Sequence, residues 1–350
     1  MSFLQYLERV VEKHDLSSAD AHAAMRIILA GEATHAQIAA FLIALRMKGE
    51  KAAELVGFAR AMREMASPVV HGLDGEPLLD TCGTGGDSSG TFNISTLAAF
   101  TVAGAGVRVA KHGNRSITSQ CGSADLLESL GIQIGLASED WARAIREVGI
   151  GFLFAPALHA AMKHAQPVRR ELRVRTVFNL LGPLTNPAGA NTQLAGAPSE
   201  HAAELIAEAL AELGLRRGFV VHGCDGLDEI TTTGPTIVFE VRDGQVERRT
   251  LEPSDFGVRT ASPEELKGGD SACNRRIANS VLAGERGPCR DIVVANAAAG
   301  LVAAGQVETF LEGAAIAAIS LDSGAARQKA EDLARFTQRG KAANSSPATS

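Results

Sequence analysis

Aromatic residues are scarce in this chain, since they make up only 4% of its 350 residues and include one Trp and one Tyr. The interior must therefore be built from the aliphatic residues within an apolar fraction of 45%. This length is enough for one large or two medium domains with a substantial core. The 36 glycines predict close helix packing and loops whose backbone approaches a ligand.

An excess of basic residues is also missing. Lys and Arg number 34 against 40 Asp and Glu, which gives a formal net charge of −6. This balance argues against a sequence-independent electrostatic grip on nucleic acid. It leaves room for a small anionic ligand, because a few cations and helix dipoles are enough to bind one.

Paired cysteines and targeting segments are absent as well. The five cysteines occur singly, which fits neither a zinc site nor a disulfide framework, so we expect reduced thiols. The first residues lack the basic and apolar regions of a signal peptide, and no apolar run reaches the ~18 residues of a membrane span. We expect a soluble, cytoplasmic protein without internal repeats.

Residues 1–72 are predicted to form a small helical domain, judged by the helical period of their apolar residues. The four expected helices cover residues 3–14, 17–29, 34–48 and 52–65. Their N-caps are Ser17 or Ser18 and Thr34, and Gly31 and Gly49 end the second and third helices. The expected apolar stripe of the first helix consists of Leu4, Leu7, Val10 and Val11. Such a bundle exposes an apolar face, so we expect it to pack on another domain, another subunit, or both.

Residues 73–340 are predicted to form a large α/β domain with a mostly parallel central sheet, because short apolar runs alternate with Gly-rich turns and helices. The expected strands lie at residues 77–80, 107–110, 151–154 and 218–222, followed by a hairpin over 237–248. The chain is then Ala-rich and helical from Gly287 to Gln338. Residues 341–350 are small and polar, which predicts a disordered tail.

A Gly-rich loop follows the first expected strand, over residues 82–91, and a helix opens just after it at Asn93. Glycines allow backbone N–H groups to turn toward an anion, and a helix N-terminus adds free N–H groups and its dipole. The hydroxyls of Ser95 and Thr96 supplement them. A tight turn between a strand and a capped helix is the alternative interpretation. The pattern matches neither of the familiar nucleotide-binding fingerprints.

A second polar loop, Lys111 to Ser119, follows the second expected strand and leads to a helix cap at residues 122–125. It carries two cations, a glycine, an amide and several hydroxyls at the carboxyl end of a strand, where open α/β sheets bind ligands. A solvated loop is the alternative. Two such loops after successive strands favour phosphate binding.

Several motifs of the chain resemble those of the anthranilate phosphoribosyltransferases. They are Gly-Thr-Gly-Gly-Asp at 83–87, Thr-Phe-Asn-Ile-Ser-Thr at 91–96, Lys-His-Gly-Asn-Arg-Ser at 111–116, Gly-Ser-Ala-Asp at 122–125, Pro-Val-Arg-Arg at 167–170, the run 175–187 and Gly-Leu-Asp-Glu at 226–229. The resemblance covers nearly the whole chain and is specific in the order of its motifs.

The resemblance implies a helical domain, completed by helices around residues 170–195, that is joined to the α/β domain, with the active site in the cleft between them. It implies a homodimer that pairs through the helical domains. The implied activity is the second step of tryptophan biosynthesis from chorismate, transfer of the phosphoribosyl group of 5-phosphoribosyl 1-pyrophosphate to anthranilate. The implied cofactor is Mg²⁺, with two ions per site.

The resemblance also implies roles for particular residues, with none assigned as an acid or base. The implied donor-binding residues are Gly83, Gly86, Asp87, Thr91, Asn93, Ile94, Ser95, Thr96, Lys111, His112, Gly113, Asn114, Arg115, Ser116, Ile117, Thr118, Ser119 and Ser123. The implied anthranilate-binding residues are Gly83, Asn114 and Arg169, with His112, His159 and Pro183 as weaker candidates for an apolar wall. The implied metal ligands are Ser95, Asp228 and Glu229, which are hard oxygen donors of the kind Mg²⁺ prefers.

The chain departs from the family pattern at three places. Arg173 and Ser88 stand where glycine is common, and residues 272–276 are less typical, which puts local loop geometry in doubt. Arg170, Arg173 and Arg175 are interpreted as surface or structural charges.

Two rival functions remain open at this point. One is a pyrimidine nucleoside phosphorylase-like enzyme, which has no use for Asp228 and Glu229 as a metal pair. The other is a non-enzymatic relative that binds nucleic acid, which requires a basic face that this acidic chain does not predict.

Overall fold

The computed structural model describes residues 2–85, 89–116 and 120–344. Its first part is a bundle of four helices, α1 (Phe3–Val11), α2 (Ser18–Ala30), α3 (His35–Lys48) and α4 (Ala52–Glu64). The side chain of Ser17 caps α2, and Thr34 caps α3 through a capping box with Gln37. Gly31 ends α2 at φ 77°, in the left-handed region that favours glycine. These caps and stops are the predicted ones.

The buried face of α1 differs from the predicted stripe. Val10 is buried, but Leu4 and Val11 are 53% and 60% exposed, and Phe3 and Tyr6 are buried instead. The reason is aromatic packing, because the ring of Phe3 lies against Phe41 of α3, with ring centroids 5.3 Å apart. The rotation of α1 leaves an apolar strip on the outside of the bundle.

The second part of the chain is built on a seven-stranded sheet of order β3-β2-β1-β4-β5-β6-β7. Its strands are β1 (Leu78–Asp80), β2 (Arg108–Gly113), β3 (Ile150–Phe154), β4 (Thr192–Gly196), β5 (Arg217–Gly223), β6 (Thr236–Arg242) and β7 (Gln245–Leu251). The first five are parallel, while β6 and β7 form an antiparallel hairpin. The predicted fold class and hairpin are confirmed, but β4, which pairs with β1 at the centre, was missed.

The helices of this domain connect and cover the strands. Their bounds are α5 (Ile94–Gly104), α6 (Ser123–Ser129), α7 (Ser138–Glu147), α8 (Ala155–Leu158), α9 (Gln166–Leu172), α10 (Glu200–Glu212), α11 (Ser271–Leu282), α12 (Pro288–Ala303), α13 (Phe310–Asp322) and α14 (Ala325–Asn344). Short 3₁₀ turns occupy residues 160–164, 177–179, 182–184, 253–256 and 263–266.

The sheet separates two hydrophobic cores. Along β5, Phe219 and Val221 belong to one core with α5 and α12, whereas Val220 between them belongs to the other core with α10 and the helical bundle. Successive strand residues point to opposite faces, so this alternation shows a sheet covered on both sides. The helical bundle therefore packs on the α/β domain, which is one of the two kinds of partner expected from the sequence.

Two predicted segment boundaries are corrected by the structure. Helical turns that contribute to the core of the bundle cover residues 160–184, but the region 185–195 is not helical and includes the start of β4. Helix α14 continues to Asn344, so it includes the first four residues of the segment predicted as a tail.

Two composition-based expectations can be compared with the described residues. All five cysteines are free thiols. Across residues 2–85, 89–116 and 120–344, no helix combines the length and apolar character that crossing a bilayer requires.

Candidate active site

The sheet has a topological switch between β1 and β4, because the chain proceeds from β1 toward β2 and β3 on one side and from β4 toward β5 on the other. Crevices at such points, beyond the carboxyl ends of the strands, are where open α/β sheets bind ligands. The loops after the two strands touch here, since the N–H of Thr84 donates to the carbonyl of Gly196 at 2.9 Å. The predicted Gly-rich loop therefore lies at the switch.

The predicted donor-binding residues that the structure describes come from the ends of β1 and β2 and the starts of α5 and α6. This placement supports one shared site. Gly86, Asp87, Ile117, Thr118 and Ser119 lie outside the described residues, as does the atypical Ser88.

The start of α5 lies beside the first loop, and the side chain of its cap residue, Asn93, already has hydrogen-bond partners. The amide of Asn93 donates to the carbonyl of Cys121 at 3.0 Å and accepts from the amide of Asn274 at 3.0 Å. Asn93 therefore ties the first loop to the second. Asn274 belongs to residues 272–276, which were identified from the sequence only as a departure from the family pattern.

Lys111 reaches the site from beneath. Its side chain is buried, and its ammonium donates to the carbonyl of Thr81 at 2.8 Å, to the Thr81 hydroxyl at 3.2 Å and to Ser95 Oγ at 3.2 Å. An ammonium has three hydrogens, so these acceptors use its capacity in this conformation. Its positive charge lies directly behind the N-terminus of α5, where it adds to the helix dipole.

The second loop is packed closely against α6 and β3. A Cβ on Gly113 would lie 2.6 Å from both Phe152 Cε2 and Ser123 Oγ, so only glycine fits there without a shift. The Ser123 hydroxyl donates to the carbonyl of Asn114 at 3.1 Å, and Asn114 Oδ1 accepts from the N–H of Arg115 at 2.7 Å.

Arg115 is oriented away from a simple phosphate contact. Its guanidinium forms ion pairs with Asp125 at 2.8 Å and Glu128 at 2.6 Å, and these carboxylates raise the pKa of Arg115. Asp125 also accepts from the N–H of Gly122 at 2.8 Å. In this conformation Arg115 braces the second loop on α6.

The predicted metal ligands meet at the same corner. Glu229 Oε1 accepts from the N–H of Ser95 at 3.1 Å, and Asp228 Oδ2 accepts from the N–H of Gly85 at 2.8 Å. Asp228 and Glu229 belong to residues 225–230, hereafter the carboxylate turn. The turn sits on β4, because a Cβ on Gly196 would lie 1.6 Å from the backbone oxygen of Asp228. Two carboxylates and a hydroxyl thus flank the N-terminus of α5, a donor set that suits Mg²⁺.

Another group of possible ligands lies nearby but has different chemistry. Asp80, Cys82 and His112 bring a carboxylate oxygen, a thiol and an imidazole nitrogen within 4.8 Å of one another. Burial raises the pKa of Asp80 to about 6 and raises that of the Cys82 thiol. Asp80 accepts from the N–H of His112 at 3.0 Å and from Asn186 at 2.8 Å, so it links β1, β2 and the chain before β4. We interpret this group as structural.

Arg169 on α9 has the features of a carboxylate anchor. Its guanidinium is half-buried over the ring of Phe178, 5.3 Å from the centroid, and burial lowers its pKa. No carboxylate of the described residues forms an ion pair with Arg169. A half-buried guanidinium without a counter-ion among the described residues favours an anionic ligand.

The candidate wall residues are also close to one another. The rings of His112 and His159 have centroids 5.2 Å apart, and both side chains are buried. Burial lowers the pKa of His112 to about 3 and that of His159 to about 4, so both imidazoles are neutral near pH 7. His112 Nδ1 hydrogen bonds with the carbonyl of Gly182 at 3.1 Å, next to the buried Pro183.

Two arginines interpreted from sequence as ordinary surface or structural charges have specific surroundings. Arg175 donates through Nη2 to the carbonyl of Gly85 at 3.0 Å, and its own carbonyl accepts a hydrogen bond from Arg46 of the bundle. It therefore links the bundle to the Gly-rich loop, which sequence reasoning missed. Arg173 ends α9 at φ 50°, in the left-handed region. That conformation explains why glycine is common at this position.

Comparison with known proteins agrees with this architecture. A model of the glycosyl transferase family helical bundle domain matches residues 4–66, and a model of the glycosyl transferase family a/b domain matches residues 75–327. The fold is therefore that of a two-domain glycosyl transferase.

The relatives specify the family further. The chain is 71% identical over 336 residues to an anthranilate phosphoribosyltransferase of Solibacter usitatus, covering 96% of this chain and 99% of the relative. The structure of the enzyme of that name from Thermus thermophilus matches with a TM-score of 0.90 at 45% identity, covering 95% of this chain and 99% of the other. That from Saccharomyces cerevisiae, solved in complex with PRPP and Mg, matches with a TM-score of 0.88 at 30% identity, covering 96% and 98%. The chain belongs to the anthranilate phosphoribosyltransferase family.

Proposed function

We propose that the protein transfers the phosphoribosyl group of 5-phosphoribosyl 1-pyrophosphate to the amine of anthranilate, giving N-(5-phosphoribosyl)anthranilate and pyrophosphate, in tryptophan biosynthesis. The observation that carries the acceptor assignment is Arg169, a half-buried guanidinium without an ion-pair partner among the described residues. Anthranilate supplies the missing carboxylate, and its ring supplies an apolar surface for the buried imidazoles of His112 and His159.

The donor occupies the switch between β1 and β4 in this proposal. Its pyrophosphate faces the Gly-rich loop and the positive end of the α5 dipole, with the charge of Lys111 behind it. The second loop, including Asn114 and Ser116, encloses the ribose and its phosphate together with Ser123 at the start of α6. Gly83 lies close to Asp228, so the donor loop and the metal ligands converge.

Ser95, Asp228 and Glu229 would hold Mg²⁺, and we propose two ions per site. When bound, Mg²⁺ neutralises negative charge on the pyrophosphate oxygens of the donor. The backbone N–H groups that already orient both carboxylates fix their direction before the donor arrives. The yeast relative, which was crystallised with PRPP and Mg, supports Mg²⁺ as the metal.

The reaction is a displacement at C1 of the ribose. The amine nitrogen of anthranilate forms the new C–N bond with its lone pair, while the C1–O bond breaks and its electron pair leaves with pyrophosphate. The nitrogen then loses one proton to the departing pyrophosphate or to water. An aryl amine is neutral near pH 7, so no strong general base is required, and none is assigned. The chain contributes by holding the amine in line and by stabilising charge on the leaving group.

We also propose a homodimer that pairs through the helical bundles. Leu4, Val11 and Met47 are 53%, 60% and 76% exposed on α1 and α3, which pack against each other. Exposed apolar residues on neighbouring helices favour burial against a second copy. The free thiols suit a reducing compartment, so we keep the cytoplasm as the proposed location.

The direct test mixes the protein with phosphoribosyl pyrophosphate, Mg²⁺ and anthranilate, and follows the loss of anthranilate fluorescence together with pyrophosphate release. We expect both signals in equal amounts and only when metal is present. The absence of turnover with and without Mg²⁺ would refute the proposal. Orthophosphate with a pyrimidine nucleoside replaces the substrates in a parallel reaction, where turnover would favour the phosphorylase instead.

A further inference from the structure

The carboxylate turn has no regular secondary structure of its own, although it carries the proposed metal ligands. Its first residue, Asp225, is an exposed carboxylate that accepts hydrogen bonds from one backbone N–H and two hydroxyls. Asp225 accepts from the N–H of Leu227 at 3.1 Å and from the hydroxyls of Thr231, at 2.7 Å, and Thr233. These bonds close the turn from the solvent side.

The inner side of the turn is held by a residue distant in sequence. Asn296 lies in the middle of α12, is fully buried, and is surrounded in its helix by Ala, Val and Ile. Its Oδ1 accepts from the N–H of Ile230 at 3.0 Å, and its Nδ2 donates to the carbonyl of Ile230 at 2.8 Å and to that of Ile292 at 2.9 Å. The amide thus pairs with both backbone groups of one residue, as a neighbouring strand does.

We propose that Asn296 is a positioning residue for the metal site, because it fixes the main chain immediately after Glu229 and so sets where the two carboxylates lie. This inference rests on the proposed function in one respect, namely that Asp228 and Glu229 bind the metal. It adds a residue that does not touch substrate or metal.

Packing explains how the position of Asn296 reaches the carboxylates. Helix α12 packs on α5, and the N–H of Ser95 in the first turn of α5 donates a hydrogen bond to Glu229. Asn296 fixes Ile230 to α12, and Ser95 fixes Glu229 to α5, so the two packed helices define the separation between the turn and the helix N-terminus. On the other side, Gly196 contacts the backbone oxygen of Asp228.

A buried amide is costly unless it is paired, and the same holds for the groups it pairs with. Ile230 is also buried, at 1% exposure, so removing the Asn296 amide leaves an N–H and a carbonyl without partners. The turn can satisfy them only by moving toward other donors or water. A metal site tolerates little movement of its ligands, and loss of the groups that orient ligands commonly weakens metal affinity about 10- to 100-fold.

The test measures metal binding directly on the full-length protein. Mn²⁺ is titrated into Asn296→Ala without added pyrophosphate, which would itself complex the metal, and free Mn²⁺ is followed by electron paramagnetic resonance. We expect the dissociation constant to rise about tenfold or more over that of the unsubstituted chain. The Mg²⁺ concentration that half-saturates turnover should rise in parallel, while the anthranilate KM at saturating Mg²⁺ changes less than threefold.

Ser320→Ala is the matched control. Ser320 is also buried, and its hydroxyl donates to the carbonyl of Thr101 at 2.7 Å in the same helical layer, away from the turn. It should lose thermal stability without a change in Mn²⁺ affinity beyond twofold. Thr231→Val is a second, nearly isosteric variant, which removes the hydroxyl that donates to Asp225. It keeps the inference testable if Asn296→Ala does not fold. It should weaken Mn²⁺ binding in the same direction.

Two results would overturn the inference in distinguishable ways. Folded Asn296→Ala and Thr231→Val that bind Mn²⁺ as tightly as Ser320→Ala would remove the positioning role alone. Asp228→Asn with unchanged Mn²⁺ binding would show that the carboxylate turn does not hold the metal. That second result would remove both the ligand assignment and the inference that depends on it.

Discussion

Replacing Arg169 tests the acceptor assignment most directly. The guanidinium lies over Phe178 and has no carboxylate partner among the described residues, so the acceptor carboxylate is its expected counter-ion. In Arg169→Ala the acceptor loses two charge-assisted hydrogen bonds, each of which contributes about 1.5 to 3 kcal/mol. We therefore expect a loss of about 3 to 6 kcal/mol, or a roughly 100- to 20,000-fold rise in the anthranilate KM.

The measurement is a steady-state titration of each substrate, with anthranilate followed by its fluorescence. The donor KM should change by less than about threefold, because Arg169 lies on α9, whereas the donor loops follow β1 and β2. Arg169→Lys keeps the charge but loses the planar fork, so it should fall between the unsubstituted chain and Arg169→Ala.

Arg170→Ala is the control, since Arg170 is the exposed neighbour on the same helix. It should leave both KM values unchanged. Inhibition adds a second check, because benzoate should lose most of its affinity in Arg169→Ala while neutral benzamide should not. An equal rise in the donor and acceptor KM values, or equal losses for benzoate and benzamide, would refute the assignment of Arg169 as the carboxylate anchor.

Three further outcomes follow from the described geometry. Arg173→Gly should raise the melting temperature by about 2 °C. The reason is that removing the strain of a left-handed backbone at φ 50° outweighs the added freedom of the unfolded chain by about 0.5 to 1 kcal/mol. A lower melting temperature would contradict this. Gly196→Ala should reduce turnover at least about 100-fold, because its Cβ would lie 1.6 Å from the backbone of the carboxylate turn, and normal kinetics would contradict the packing. The lowered pKa values of His112 and His159, about 3 and about 4, mean that the unfolded chain gains protons first as pH falls below ~6.5. Each imidazole should then lower the free energy of unfolding by about 1.4 kcal/mol per pH unit down to about pH 4. Asp80 partly offsets this loss, because its raised pKa of about 6 makes the folded chain gain a proton first. The melting temperature of His159→Phe should therefore fall less steeply with decreasing pH than that of the unsubstituted chain.

Local signals in the sequence predicted the helical bundle well. Ser17 and Thr34 cap α2 and α3 as expected, since a cap depends on a side chain bonding to its own next turn. The buried face of α1 was not predicted, because Leu4 and Phe3 are both apolar. Which of them turns inward is decided by the ring of Phe41, on another helix.

Strand β4 shows why the centre of the sheet was harder to predict than its neighbours. Thr192 to Gly196 is short, all five residues are buried, and neither alternation nor a run of β-branched residues identifies it. Its polar Gln193 is tolerated because its amide donates to the carbonyl of Pro183 at 2.7 Å. That bond depends on the tertiary structure, so the sequence pattern alone cannot indicate it.

In the candidate site, too, some features follow from local sequence and others depend on residues that are distant in the chain. Glycines and hydroxyls after β1 and β2 predict a phosphate site from local chemistry, and the structure brings both loops to one edge. The roles of individual side chains depend on what else is near. Lys111 and Asn93 look like direct ligand contacts in the sequence, yet their polar atoms hold Ser95 and Cys121 in place.

Asp228 and Glu229 give the clearest case, because two adjacent carboxylates in a loop are most often a solvated turn. Their environment is supplied by residues that local sequence cannot connect to them. Gly196 provides the space beneath the turn, Ser95 orients Glu229, and the amide that holds Ile230 comes from 66 positions further along the chain. If that amide does set metal affinity, substitutions within a buried helix will change the metal dependence of turnover without touching any ligand. The sequence would then predict which residues bind the metal, while the packing of the helices would determine where those residues lie.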